Sequence, residues 1–382
     1  MNPDSELEAL VTLADFEAIA RRRMEPAHFD YVAGGAGDEL TIADNGAAWR
    51  RWRLRPRVLV DVSRVDCATT VLGCAVALPV GVAPVAFQHF AHADAETATA
   101  GAAAGAGALF CLSTMSSRSL EEVAAAADGG GDAGAPRWFQ LYVHRDRDRS
   151  EELVRRAAAA GYSAIVVTVD FPVAGRRERD LRNRLPYPQV YGNFELPPVE
   201  SGEGDGGGGE GGGGDGGGGD GVLAAAVGAW NDAALTWRDL AWLRGLTDLP
   251  LVVKGVLTAA DARLAADHGA AAVVVSNHGG RQLDRAVASA DALPEVVEEA
   301  GDRLEVYVDG GIRRGVDVVT ALALGARGVL IGRPLIYALA AGGAAGVARA
   351  FEILRTELLT DMALLGITSL AEVNRDFVVR SP

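Results

Sequence analysis

The chain has 382 residues, 49% of them hydrophobic and 23% charged, which suits one large globular domain or two modest ones. A formal charge of −15, from 51 acids and 36 bases, disfavours nucleic-acid phosphates as the main ligand, because that footprint is basic. Three cysteines (Cys67, Cys74 and Cys111) without a C-x-x-C pair argue against a disulfide framework or a zinc knuckle. The first residues, MNPDSELEAL, carry acids where a signal peptide needs positive charge, so a cytoplasmic, reducing location is expected.

In chain order, residues 1–75 read as an N-terminal helical cap of the same domain, with helices in DFEAIARRR, PAHFDYVAGG and DELTIADNGAAWRRW. Residues 76–382 then alternate short Val/Ile/Leu runs with helical stretches. The runs fall at 78–84, 108–113, 137–143, 164–170, 251–256, 272–279, 305–311 and 328–333. Between them lie segments such as SLEEVAAAA and TAADARLAADHG, with Ser or Thr opening and Gly closing the pattern. Such alternation implies right-handed βαβ units around a parallel sheet. Eight strands at this spacing match an α/β (β/α)8 TIM barrel, with a doubly wound open sheet as the alternative architecture. No membrane span is expected. The uncharged stretch 97–117 is mostly Ala, Gly, Ser and Thr, too weakly apolar to cross a bilayer.

The fourth strand is separated from its helix by the long loop 171–235. Within it, the low-complexity insertion 201–221 holds 15 of the chain's 48 glycines and five acids. Such a tract cannot bury apolar surface, so the loop is expected to be partly disordered. Its formal G-x-G-x-x-G match at 204–209 lacks the flanking strand and helix that give the motif meaning.

In a barrel of this kind chemistry gathers at the C-terminal strand ends. The polar residues there are Ser113, Gln140, Tyr142, Thr168, Asp170, Lys254, Ser276, His278, Arg281, Asp309, Arg313 and Arg333. Lys254 is the only lysine beside 35 arginines, which suggests that this place needs a compact amine. The glycine-rich ends DGGIRRG after strand seven and GRP after strand eight suit a phosphate, because glycine lets backbone N–H groups approach it. A P-loop is excluded, since no Lys is followed by Ser or Thr. His278 offers a general base, Asp170 a carboxylate to pair with its imidazolium, and Arg281 a fork for a carboxylate. His89-x-x-His92 lacks companion ligands, and no metal is expected.

The segments SNHGGRQLD, DGGIRRG, QLYVHRDR and TVDFPVAGRRERDLRN, with the lone lysine in VVKGV, resemble the FMN-dependent α-hydroxy acid oxidase/dehydrogenase family. The likeness runs from about Phe29 to Phe351. It implies FMN as cofactor, with Pro84, Val85 and Ala86 along the flavin ring and Ser113, Gln140, Thr168 and Ser276 at its edge. Lys254 would stand at flavin N1, favouring the anionic reduced form. Asp309, Gly310, Gly311, Ile312, Arg313, Gly332 and Arg333 would hold the ribityl chain and phosphate. Arg281, Tyr31 and Arg177 would clamp a substrate carboxylate, Tyr142 would reach the substrate, and His278 paired with Asp170 would take the hydroxyl or the α-proton.

The resemblance implies oxidation of an (S)-2-hydroxy acid to the 2-oxo acid, with electrons passed to O2 to give H2O2. The alternative is a dehydrogenase using a quinone, cytochrome or protein acceptor. Other phosphate-gripping barrels are disfavoured: the nucleotide dehydrogenases need a cysteine after strand six, and all three cysteines lie at or before residue 111. A non-catalytic binding barrel is the remaining reading. Val85 stands where glycolate oxidases have Thr, and Thr114-Met115 where they have Ser-Trp, so a larger, lactate- or mandelate-like substrate is expected. Family members are often homotetramers, and that assembly is the expectation here.

Overall fold

The near-continuous apolar runs are those of strands covered on both faces, and all eight become parallel barrel strands. In this computed structural model they are β1 (Val80–Val82), β2 (Leu109–Ser113), β3 (Arg137–Leu141), β4 (Ala164–Thr168), β5 (Leu251–Val256), β6 (Ala272–Val275), β7 (Glu305–Asp309) and β8 (Gly328–Ile331). Each pairs with its sequence neighbours and β8 closes on β1, which excludes the open sheet. The structure describes residues 3–129, 135–185, 191–194 and 230–381. The glycine tract expected to be disordered lies outside them.

Alternation along each strand places the site. Leu109, Cys111, Trp138, Ala164, Val166, Val252, Ala272, Val274, Tyr307 and Leu330 fill the barrel interior. Phe110, Leu112, Phe139, Leu141, Ile165, Val167, Val253 and Val273 face the surrounding helices. Continuing the inward series by two residues brings strands β2 to β7 to a polar position: Ser113, Gln140, Thr168, Lys254, Ser276 and Asp309 in turn. The apolar layers therefore form a floor, and a polar ring lies on top of it.

The helices follow in turn: α1 (Ala95–Gly105), α2 (Leu120–Asp128), α3 (Arg147–Ala159), α4 (Asp239–Leu246), α5 (Ala259–Asp267), α6 (Ser289–Ala300), α7 (Gly315–Ala323) and α8 (Arg333–Leu365). Ser119 and Glu122 form a capping box at α2, and the Thr258 side chain accepts from Asp261 N at α5. Helix α8 is the one described helix long and apolar enough to span a bilayer. It is broken at Gly342 and Gly343, and most of its apolar stretch is buried within the protein. At the break, a Cβ on Gly342 would lie 2.7 Å from Leu7 Cδ1.

The N-terminal region supplies helices Pro3–Glu8, Asp15–Arg23, Pro26–Ala33 and Leu40–Trp49. Their Phe16, Ile19, Phe29 and Trp49 share one core with Leu335, Leu339 and Phe351 of α8. The expectation that residues 1–75 are helical needs correction. Trp52–Leu54 pairs antiparallel with Val378–Arg380, and Thr69–Val71 forms a hairpin with Cys74–Val76. The hairpin plugs the barrel floor, with Val71 and Val76 in the interior cluster and Leu72 N donating to Glu305 Oε2 at 3.0 Å. Three-residue strands are too short to show a two-residue period, so sequence patterning passes over them.

Candidate active site

The polar ring is centred on Lys254, which is 4% exposed. Its Nζ donates to Ser276 Oγ at 2.9 Å and pairs with Asp309 at 3.0 Å. Burial alone would lower the ammonium pKa, but the Asp309 and Asp170 carboxylates hold it above the ordinary lysine value. Beside it, β5 is irregular: its register with β6 shifts between Lys254 and Val256, and Gly255 has φ +113°. A Cβ on Gly255 would lie 2.6 Å from Asp170 Cβ, so the missing side chain makes room for that acid.

Strand β6 ends in a tight turn in which His278, Gly279 and Gly280 all have positive φ (59°, 63° and 76°). The His278 backbone N–H donates to Ser276 Oγ at 3.0 Å, and its ring Nδ1 lies 2.8 Å from Asp170 Oδ1. A carboxylate only accepts, so Nδ1 carries the proton and Nε2 presents its lone pair to the pocket. The Tyr142 hydroxyl donates to that Nε2 at 3.3 Å. Burial opposes ionisation of Asp170, yet His278 and Lys254 outweigh it and set the carboxyl pKa below its usual value. Burial, together with the Lys254 and Arg281 charges, lowers the His278 pKa despite the pull of Asp170. The imidazole is thus kept neutral and able to accept a proton.

Three part-buried arginines, Arg281, Arg313 and Arg333, complete the rim beside the buried Arg177. Arg281 donates to Tyr31 O and Gly34 O, and its guanidinium lies 4.8 Å over the Tyr31 ring, with that of Arg177 5.7 Å from the same ring. Arg333 donates to Val32 O, Gly34 O and Gly279 O, and Arg313 to Ile312 O. These bonds go to carbonyl dipoles rather than carboxylates. Burial lowers all three pKa values, and Arg281 nearby helps push Arg333 down to about 9. Cations in this condition form a receptor for anions.

One pocket of about 1150 Å³ of space, part of it open to solvent, joins these groups. It brings together the sequence-predicted Tyr31, Pro84, Val85, Ala86, Ser113, Tyr142, Thr168, Arg177, Lys254, His278, Arg281, Asp309, Gly310, Gly311, Ile312, Arg313, Gly332 and Arg333. Asp170, Gln140 and Ser276 stand one layer behind, touching the lining through His278, Ser113 and Lys254. The backbone at Gly279, one of the glycines expected to meet cofactor or substrate, also lines it, whereas sequence patterning does not assign Phe87 or Phe171 to the lining and marks Met115 only as a departure. No polar signal marks these apolar residues. His89, from the pair considered for a metal, has its Nδ1 2.8 Å from Ser117 Oγ.

Two buried polar atoms, Gln140 Nε2 and Thr168 Oγ1, have no protein partner among the described residues. Gly310 and Gly311 adopt positive φ (95° and 83°) beside Arg313, forming a backbone cradle. Orphaned polar atoms above an apolar floor, next to an anion receptor, fit a planar heteroaromatic group carrying a phosphate. The sequence model for "FMN-dependent dehydrogenase" matches residues 20–380.

The chain belongs to the FMN-dependent dehydrogenase family.

It is 46% identical over 378 residues to an L-lactate oxidase from a Nostoc species, covering 96% of this chain and 98% of that protein. It is also 46% identical over 375 residues to glycolate oxidase 3 of Oryza sativa subsp. indica, covering 98% and 97%. Among solved structures, a mandelate oxidase superposes with TM-score 0.85 at 41% identity, covering 96% of this chain and 97% of that one. Like the family, this protein is an FMN-dependent oxidoreductase acting on the CH–OH group of 2-hydroxy acids.

Proposed function

We propose that this enzyme oxidises (S)-2-hydroxy acids with an apolar side chain, lactate- or mandelate-like, to 2-oxo acids and passes the electrons to O2. The observation that carries this reading is the convergence of the His278–Asp170 pair, Tyr142 and the Arg281 guanidinium on one pocket. A 2-hydroxy acid needs a cation for its carboxylate and a base within reach of the adjacent carbon or hydroxyl, and this pocket offers both. Val85, Phe87, Met115 and Phe171 supply apolar lining for a side chain, and Met115 is a flexible wall.

FMN, held by the Gln140–Thr168 edge and the Gly310–Arg313 and Gly332–Arg333 ends, supplies the two-electron acceptor when bound. The protein groups do the rest. Arg281 and Tyr31, with Arg177 beside them, bind and orient the carboxylate. Tyr142 hydrogen-bonds the substrate oxygen and holds Nε2 in line. Neutral His278 takes a substrate proton, and Asp170 stays ionised, fixes the tautomer and stabilises the imidazolium that forms. Lys254 keeps a positive charge where negative charge develops. Overall the acid loses two protons and two electrons, and O2 takes up both to become H2O2.

The test is aerobic reoxidation after the enzyme has been reduced by (S)-lactate or (S)-mandelate. Flavin colour returning within seconds, with one H2O2 formed per 2-oxo acid, is the expected result. Colour that stays bleached for minutes in air assigns the electrons to another acceptor.

A further inference from the structure

The turn that carries His278 is held from outside the pocket by the cap helix Leu40–Trp49. Asn45 of that helix and Asn277 of the turn are 2% and 4% exposed. Their amides bond reciprocally: Asn45 Nδ2 donates to Asn277 Oδ1 at 2.9 Å, and Asn277 Nδ2 donates to Asn45 Oδ1 at 2.8 Å. Asn277 spends its second N–H on Val287 O at 3.0 Å, and its oxygen also accepts from Gly280 N at 3.1 Å. That amide is saturated, and the Gly280 bond closes the left-handed turn around His278. The same helix grips the end of β7. Trp49 Nε1 donates to Gly310 O at 2.8 Å, and a Cβ on Gly311 would lie 2.1 Å from Asn45 O.

We propose that Asn45 is a positioning residue for the reaction: paired with Asn277, it holds the base-bearing turn in register with the Gly310–Gly311 loop. This rests on the reading of His278 as base given above. The physical reason is local. A turn containing Gly279 and Gly280 has little rigidity of its own, so its shape depends on the bonds that close it. Without Asn45, Asn277 is a half-satisfied buried amide that can turn to seek other partners, taking Gly280 and His278 with it. Asn45 touches neither the base nor the anion receptor directly, so its effect passes through Asn277 and the glycine loop.

The experiment uses the full FMN-loaded chain with Asn45→Ala, the isosteric Asn45→Asp, Asn277→Ala and the double variant Asn45→Ala/Asn277→Ala. Turnover is measured with a 2-hydroxy acid that the wild type accepts, and FMN affinity by fluorescence titration of the apoprotein. Asn45→Ala is expected to lower kcat on the order of 10–100-fold at saturating FMN, with KM within about twofold. FMN affinity falls roughly tenfold, and the double variant loses no more than the worse single one, because the two amides act as a unit. Asn45→Asp keeps the shape and one acceptor but, ionised, sets an oxygen against Asn277 Oδ1 in place of a donor, so it shows a loss of the same kind and decides the matter if the alanine variant does not fold. FMN-saturated kcat within twofold of wild type in a folded Asn45 variant overturns the proposal, as does full additivity in the double variant. If the wild type itself turns over no 2-hydroxy acid, the functional reading fails instead. The titration still tests the coupling, and unchanged FMN affinity in both Asn45 variants overturns it.

Discussion

Gly255→Ala puts a single methyl group where the base pair is built. The new Cβ would lie 2.6 Å from Asp170 Cβ and 2.7 Å from its Cγ. Carbon atoms settle at about 3.5–4.0 Å, so Asp170 must retreat by roughly 1 Å. The 2.8 Å bond between His278 Nδ1 and Asp170 Oδ1 cannot survive that shift. A misplacement of this size costs on the order of 100-fold in rate. Alanine at φ +113° adds backbone strain, about 1–3 kcal/mol, which lowers the melting temperature by a few degrees. The assay is stopped-flow bleaching of the flavin under anaerobic conditions, with Asp170→Asn as the reference. The two variants are expected to slow reduction similarly, and the double variant no further. A Gly255→Ala enzyme that reduces its flavin within about threefold of the wild-type rate refutes the reasoning.

Arg281→Lys keeps the charge but loses the fork; one lost charge-assisted bond, about 1.5–3 kcal/mol, raises KM roughly 10–100-fold in steady-state assays. Burial lowers the His278 pKa from 6.5, and its neutral form is the base. The acid limb of kcat/KM against pH therefore lies below the ordinary histidine value, with rate lost as pH falls through it. Glu96 is fully buried and accepts from Gln88 N, Ser117 N and Arg118 N, and burial raises its pKa. A raised carboxyl pKa favours folding below the unfolded value, and that advantage is lost as pH rises through the folded one. Thermal melts of Glu96→Gln should therefore gain on wild type as pH rises; a constant difference across pH rejects that picture.

The barrel is legible because each strand carries a dense apolar run, and β2 to β7 end at an inward polar residue, as Leu109, Cys111 and Ser113 do on β2. The site was legible for the same reason, since Lys254, His278, Arg281 and Asp309 mark the strand ends. What sequence reading missed depends on tertiary neighbours. Gly255 looks like an ordinary strand glycine until Asp170 is set against it, and Asn45 looks like a helix-surface amide until Asn277 meets it. Glu96 reads as a first-turn helix acid, yet it ties the loop after β1 to the loop after β2. The hairpin Thr69–Val76 escaped because its strands carry too few residues for a period to register.

The most direct test of the account is anaerobic mixing of the FMN-loaded enzyme, wild type and His278→Ala, with each enantiomer of lactate and mandelate. The prediction is flavin bleaching by an (S)-acid in the wild type, little by the (R)-acids, and bleaching slowed by orders of magnitude in His278→Ala with FMN still bound. Bleaching of His278→Ala at the wild-type rate, or a wild type that no 2-hydroxy acid bleaches, contradicts it.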